Sequence, residues 1–260
     1  MLRKSVAIVL MVTFSMLNLH AAKKSDEPEK TVHTKLELSE RPVVFLTTYN
    51  EDVQILPSNG NYIEVTIKYV AESKEPGDLE ILHQKMQKNL IQQSGNKVKV
   101  SMKPYKSYNQ LALLAWNYIK MEFDDGTNIS LTKYKVTEFT VHLPEDMDLN
   151  IDARYGKLYH KSDIKGDLKL KNYDADYYGQ TISGDVTIDG KYCQIEFSGG
   201  ENGNVKLYES KLKATFKNNL TLDSRYSKIN LMGSGTLNYT GYEDELRSNV
   251  HGTVKMNTRY

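Results

Sequence analysis

In Asp174-Ala175-Asp176-Tyr177-Tyr178 two carboxylates sit beside two aromatic rings, the residue types that cleave or bind sugars. The same residues also decorate solvent faces of turns, and that reading has the stronger claim here. His160 lies just ahead of Asp163, in a stretch that reads as a solvated polar turn. Asp124-Asp125-Gly126-Thr127-Asn128 has the look of a calcium loop but lacks its alternating oxygen ligands and distal glutamate. A hairpin turn is expected there. His33, His83, His142, His160 and His251 offer no two ligands at metal spacing on one element, and no glycine-rich phosphate loop precedes a helix. The single cysteine, Cys193, shares strand parity with Ile195 and Phe197, so it reads as a small buried apolar residue. The expectation is a chain with no catalytic residue, no metal ligand and no cofactor.

What remains is binding, and tyrosine is its candidate carrier. The chain has 18 tyrosines against 6 phenylalanines and 1 tryptophan. Tyr155, Tyr173, Tyr192, Tyr208, Tyr226, Tyr242 and Tyr260 recur at steps of 18, 19, 16, 18, 16 and 18 residues. A tyrosine joins an apolar ring to a polar tip, which suits a corner between strand and solvent as well as protein or carbohydrate contacts. Even spacing is explained first by structural stacking. The row from Tyr155 to Tyr242, with Trp116, is nevertheless the candidate binding surface.

The elements that would position this row follow from the repeat. Gly184-Asp185-Val186-Thr187-Ile188-Asp189-Gly190-Lys191-Tyr192 reads as turn, short strand and corner, and Asn218–Tyr226 and Gly252–Tyr260 copy it. Apolar residues alternate with Lys, Asp or Thr, one face in and one face out. A single unit cannot bury its apolar side, whereas stacked units can. The fold expected is all-β: a single-stranded parallel β-solenoid over residues 151–260, right-handed by the crossover rule, with an N-terminal β-rich region carrying one helix. Leu168, Val186, Val205, Leu220, Leu237 and Val254 are expected to form one buried ladder. Gly and Asn at the strand starts suit corners with unusual backbone angles. Three residues separate Tyr155, Tyr192 and Tyr226 from Leu158, Ile195 and Ile229; four separate Tyr173, Tyr208 and Tyr242 from Tyr177, Leu212 and Leu246. The coil is therefore either one step of about 17 residues or a pair of unlike half-units.

Ahead of the repeat, residues 1–22 read as a secretory signal: a basic start at Arg3-Lys4, an apolar run from Ser5 to Leu19 and small residues at Ala21-Ala22. The run is short for a membrane span. Its removal leaves 32 basic and 33 acidic residues, so nothing points to nucleic acid or an anionic membrane. Residues 23–40 read as a flexible leader. Residues 41–150 form the β-rich region, with a helix at about 79–93, N-capped by Asp78 and stopped at Gly95. An insertion at about 104–131 contains the apolar stretch Leu111–Trp116, either an exposed contact flap or, by preference, a plug for the solenoid end.

The repeat resembles the adhesin-type β-strand-repeat domains of bacterial envelope proteins, and the related auto-transporter adhesin head domains. Arg154-Tyr155-Gly156-Lys157-Leu158, Ser183–Ile188, Ser224–Ile229 and Met232–Leu237 carry the likeness, with Val141–Leu149 as the entry to the repeats. The resemblance covers roughly residues 40–260 and implies a β-solenoid in an exported protein, periplasmic or at the cell surface. It brings no catalytic residues with it. The function expected is a non-catalytic envelope protein presenting its solenoid surface to an envelope protein or glycan. The alternative is a polysaccharide-acting solenoid enzyme. Self-association through an open C-terminal solenoid end is also expected.

Overall fold

Alternation of apolar and polar residues builds strands that can bury only one face, and here two such faces close on each other. The computed structural model describes residues 29–101, 103, 105–113 and 116–259, excluding the side chains of 111–118. The residues read as a signal lie outside the described ones.

The chain begins with β1 (Lys30–Glu37), β2 (Val43–Tyr49), β3 (Val53–Pro57), β4 (Tyr62–Glu72), helix α1 (Asp78–Asn89), β5 (Ile91–Ser94) and β6 (Lys97–Ser101). β7 (Ser107–Leu113), β8 (Trp116–Glu122), β9 (Asn128–Leu131) and β10 (Lys133–Leu143) follow. Then come β11 (Asp148–Arg154), β12 (Lys157–His160), β13 (Leu168–Tyr173), β14 (Asp176–Ile182), β15 (Val186–Lys191) and β16 (Gln194–Gly199). The last elements are β17 (Gly203–Tyr208), β18 (Lys211–Phe216), β19 (Asn219–Arg225), β20 (Lys228–Tyr242) and β21 (Glu245–Arg259).

These form a parallel β-solenoid of about 7 turns. Each coil gives one strand to each of two facing sheets. One sheet runs β6, β2, β11, β13, β15, β17, β19 and then the second halves of β20 and β21, all parallel. The other runs β10, β3, β12, β14, β16, β18 and the first halves of β20 and β21. Leu168 pairs with Val186 and Leu220 with Leu237, so a coil is one tyrosine step and not two. The solenoid starts earlier than the repeat suggests: β2 and β3 are a complete coil, and the chain leaves after β3 to build the end of the stack before returning at β11.

The expected ladder forms with one change. Leu168, Val186, Leu220, Leu237 and Val254 are in register, but Gly203 takes the place assigned to Val205, which pairs instead with Ile188 and Leu222. The neighbouring coils compensate for the missing side chain, because Phe216 and Leu220 reach to within 2.5 Å of where a Cβ on Gly203 would stand. On the facing sheet Val53, Leu158, Tyr177, Ile195, Leu212, Ile229 and Leu246 form one row, uniting both spacings seen in the sequence.

The corner opposite the tyrosines is held by side-chain oxygens. Asp148 Oδ1 accepts from Asp167 N–H, Asp167 Oδ1 from Asp185 N–H, and Asp185 Oδ1 from Asn202 N–H, at 3.0, 2.9 and 3.2 Å. Each oxygen thus pairs the orphan donor of the next coil. Glycine is needed there for close approach more than for its angles: a Cβ on Gly184 would stand 2.4 Å from the Gly166 carbonyl oxygen.

The N-terminal part departs from the reading in three places. Residues 30–37, read as flexible leader, form β1, antiparallel to β4, because Val32, Thr34 and Leu36 face inward on alternate positions. The helix ends at Asn89, and residues 91–94 turn through Gly95 into a β5–β6 hairpin. Gly77, at φ +91°, occupies the N-cap, while the Asp78 carboxylate accepts from Ser130 N–H at 2.8 Å and ties the helix to β9. The insertion is a separate three-stranded antiparallel sheet, β7–β8–β9, whose Ile119, Met121, Ile129 and Leu131 are buried. Asp124–Asn128 is the expected hairpin turn: Gly126 N–H donates to Phe123 O, and Phe123 N–H to Thr127 O.

Candidate functional site

The coil corner between the two sheets needs one residue in the left-handed region. It is Asn50, Tyr155, Asp174, Tyr192, Glu209, Tyr226 and Glu243 in successive coils, with φ from +46 to +69°. Counted from this residue, the next core side chain is always three places on, as from Asn50 to Val53 or from Asp174 to Tyr177. The two spacings in the sequence therefore reflect one corner with the tyrosine in alternate seats. In Tyr155, Tyr192 and Tyr226 the ring is carried by the left-handed residue. In Tyr49, Tyr173, Tyr208 and Tyr242 it is carried by the residue before.

Alternation decides how the rings meet. Identical seats at a coil spacing of about 4.8 Å would stack the rings face to face. Alternate seats turn each ring against its neighbour. The pairs 49–155, 155–173, 173–192, 192–208, 208–226 and 226–242 have interplanar angles of 85–89° and centroids 5.3–6.0 Å apart. Edge-to-face contacts of this kind add about 0.5–1.5 kcal/mol each beyond area burial. Tyr173, Tyr192 and Tyr226 still expose 43–44 % of their surface.

Charge alternates with the rings. The last strand position reads Tyr49, Arg154, Tyr173, Lys191, Tyr208, Arg225, Tyr242 and Arg259 up the stack. Coils with Arg154, Lys191 or Arg225 at this position carry tyrosine at the left-handed seat; coils with tyrosine carry Asn50, Asp174, Glu209 or Glu243 there. Glu209 and Glu243 sit next to Tyr208 and Tyr242 in the chain, and their carboxylates hold those phenols above their ordinary value. Two residues further in, on the same face, Asp152, Lys171, Asp189, Lys206 and Asp223 alternate in sign. The stripe thus repeats every two coils, about 10 Å. Shallow hollows of about 340 and 550 Å³ lie along it, the first between Arg154, Tyr155, Tyr173 and Lys191, the second between Tyr208, Arg225, Tyr226 and Tyr242.

The structure brings Tyr155, Tyr173, Tyr192, Tyr208, Tyr226 and Tyr242 into one row. Trp116 lies on β8, in the separate three-stranded sheet, and its side chain is outside the described residues, as is Tyr260. Two residues of the stripe went unread. Tyr49 is its first ring, hidden by the long excursion between β3 and β11, although the step from Asn50 to Val53 already matched the corner. Lys103 Nζ lies 3.4 Å from the Tyr49 ring centroid and extends the cation–tyrosine order by one coil.

Of the two carboxylates that first suggested sugar chemistry, Asp176 has structural partners. Asp176 Oδ1 accepts from Gln194 N–H at 2.8 Å and Oδ2 from the Tyr178 hydroxyl at 3.3 Å, clamping one coil to the next. His160 is not in a solvated turn. It is buried, with Nδ1 3.0 Å from the Tyr177 hydroxyl and Nε2 2.9 Å from Ser162 Oγ. Burial pushes this imidazole down to about 4, in spite of Asp163. Cys193 is buried beside Ser210, and desolvation raises its thiol to about 11. Among the described residues no cluster of three or more His, Cys, Asp or Glu could hold a metal ion.

No family model and no curated protein matches the chain. Solved structures do. A candidate adhesin of Bacteroides fragilis is 14% identical over 88% of this chain and 97% of its own, with TM-score 0.36. One of Parabacteroides merdae is 12% identical over 89% and 97%, with TM-score 0.28. A candidate lipid-binding protein of Parabacteroides distasonis is 12% identical over 90% and 98%, with TM-score 0.33.

Proposed function

We propose that the chain is an exported, non-catalytic binding protein of the bacterial envelope, adhesin-like, which presents the tyrosine stripe to an extended polymer. The observation that carries this reading is the exposed ladder of rings flanked by alternating cations and acids. Stacking alone explains evenly spaced rings; it does not call for a cation in every second coil beside them. Rings with one polar tip and alternating charges suit a ligand that offers apolar faces together with hydrogen-bond donors and acceptors. A two-coil repeat favours a periodic, extended partner over a compact one, and a glycan has that form. The engagement of Asp176 in the coil clamp speaks against the polysaccharide-cleaving alternative. The N-terminal pattern of residues 1–22 supports export, and no described helix is long and apolar enough to cross a membrane.

The test is co-sedimentation of the full chain with purified, insoluble envelope polysaccharide, with released reducing ends assayed alongside. Binding without release is expected. Changing Tyr173, Tyr192 and Tyr226 together to Ser should abolish it while the circular dichroism spectrum is kept. Release of sugar that disappears in Asp176→Asn would favour the enzyme instead.

A further inference from the structure

Where the coil of β6 should turn its corner the chain departs into the β7–β9 insertion, and this leaves a hollow at the head of the ladder. It holds about 390 Å³, within the range of about 300–1,000 Å³ usual for small-molecule sites. Tyr49, Glu51, Lys103, Tyr105, Tyr108 and Tyr134 line it. The Tyr105 and Tyr108 rings lie 5.6 Å apart. Tyr134 directs its hydroxyl to Met86 Sδ, so its ring serves as wall.

Glu51 is the anomaly of this hollow. Its Oε2 is buried and has no hydrogen-bond partner. Desolvation holds its carboxyl up to about 7. An unsatisfied buried acceptor costs about 1–3 kcal/mol and calls for an explanation. Lys103, the nearest cation, does not supply it: its ammonium lies over the Tyr49 ring, and burial lowers its proton affinity. The hollow therefore offers the Glu51 carboxyl at its wall, one ammonium and several ring faces.

We propose that this hollow receives the terminal ring of a neutral glycan whose chain continues along the tyrosine ladder. The ligand class follows by exclusion among the groups present. A cationic head would suit Glu51 but meet Lys103, Lys106 and Lys135 at the same walls. An anionic head would suit the lysines but meet the Glu51 oxygen. A pyranose carries hydroxyls that both donate, here to the Glu51 carboxyl, and accept, here from Lys103, and its C–H faces lie on aromatic rings. Continuity supports the same occupant, because Lys103 and Tyr49 belong both to the hollow and to the first rung of the ladder. The proposal rests on the ladder reading above and adds a chain-end site to it.

The experiment is isothermal titration of the full chain with β-1,4-linked glucose, N-acetylglucosamine and mannose, from monomers through octamers. In at least one series affinity should rise with length. Glu51→Gln, which keeps the shape, and Tyr108→Ala should each weaken every length by about tenfold, the monomer included. Tyr192→Ala with Tyr226→Ala should weaken only the longer members. If Glu51→Gln and Tyr108→Ala bind as the parent while the ladder variant loses the long oligomers, the hollow proposal is wrong and the ladder reading stands. If no series binds, or if none of these variants alters binding, the hollow is not a glycan site.

Discussion

Two titratable groups, the buried His160 and the half-buried Glu51, are set against each other, and removing either should expose the other. His160 ordinarily titrates near 6.5 but is held to about 4 by burial. In the fold it stays neutral, so between these values unfolding takes up a proton. Its contribution to stability is complete above 6.5 and lost as pH falls to about 4, a change of about 3 kcal/mol. Glu51 behaves in the opposite sense. Its carboxyl ordinarily titrates at 4.5 and is held at about 7, so the fold keeps a proton that the unfolded chain releases. Its contribution is complete below 4.5 and lost as pH rises through 7, about 2 kcal/mol once the solvent-exposed part of the side chain is allowed for. Between pH 4.5 and 6.5 these two contributions therefore oppose and largely offset each other. His160→Gln preserves hydrogen bonds to Tyr177 and Ser162 without the titration, and its stability should rise on acidification relative to the parent. Glu51→Gln should fall. Urea unfolding at closely spaced pH values measures both, and the other carboxylates cancel in the difference from the parent. A His160→Gln profile parallel to the parent's would refute the buried neutral imidazole.

Two further outcomes follow from the coil geometry and one from the N-terminal sequence. Leu168→Ala, at a fully buried rung, should cost about 2–5 kcal/mol, whereas Val254→Ala, on the 41 % exposed residue at the far end of the same ladder, should be close to neutral in urea unfolding. Asp176→Ala should cost about 1–2 kcal/mol by freeing the Gln194 N–H, and Asp176→Asn, which retains an acceptor, should recover most of it. Mass spectrometry of the native protein should find its N-terminus near Ala22 or Lys23; an intact Met1 would count against export.

Much of the fold could be read from the repeat because a parallel coil writes its register into the chain: residues one coil apart must be alike. The rows of Leu168 and Leu158 were visible for that reason. Gly203 was not, since a glycine in a ladder is recognised only when Phe216 and Leu220 are seen filling its space. The alternating spacing after each tyrosine was visible, but its cause, one corner with two tyrosine seats, needed the φ angles. Tyr49 and Lys103 escaped because the chain closes the stack between them and Arg154, out of sequence order. His160 looked like a turn residue because its partner Tyr177 lies one coil away, and contact between coils leaves no local mark. Residues 30–37 were read as a leader because β1 is charged on its exposed face, and only its inward Val32, Thr34 and Leu36 hold it to β4.

The most direct test of the binding account is a tyrosine footprint. The full chain would be nitrated with and without bound envelope polysaccharide and each tyrosine quantified by mass spectrometry. Tyr159 and Tyr178, stacked 5.5 Å apart on the other sheet, serve as internal controls. The account predicts strong protection of Tyr173, Tyr192 and Tyr226 with little change at Tyr159 and Tyr178. Protection of the control pair with the ladder still reactive would contradict it.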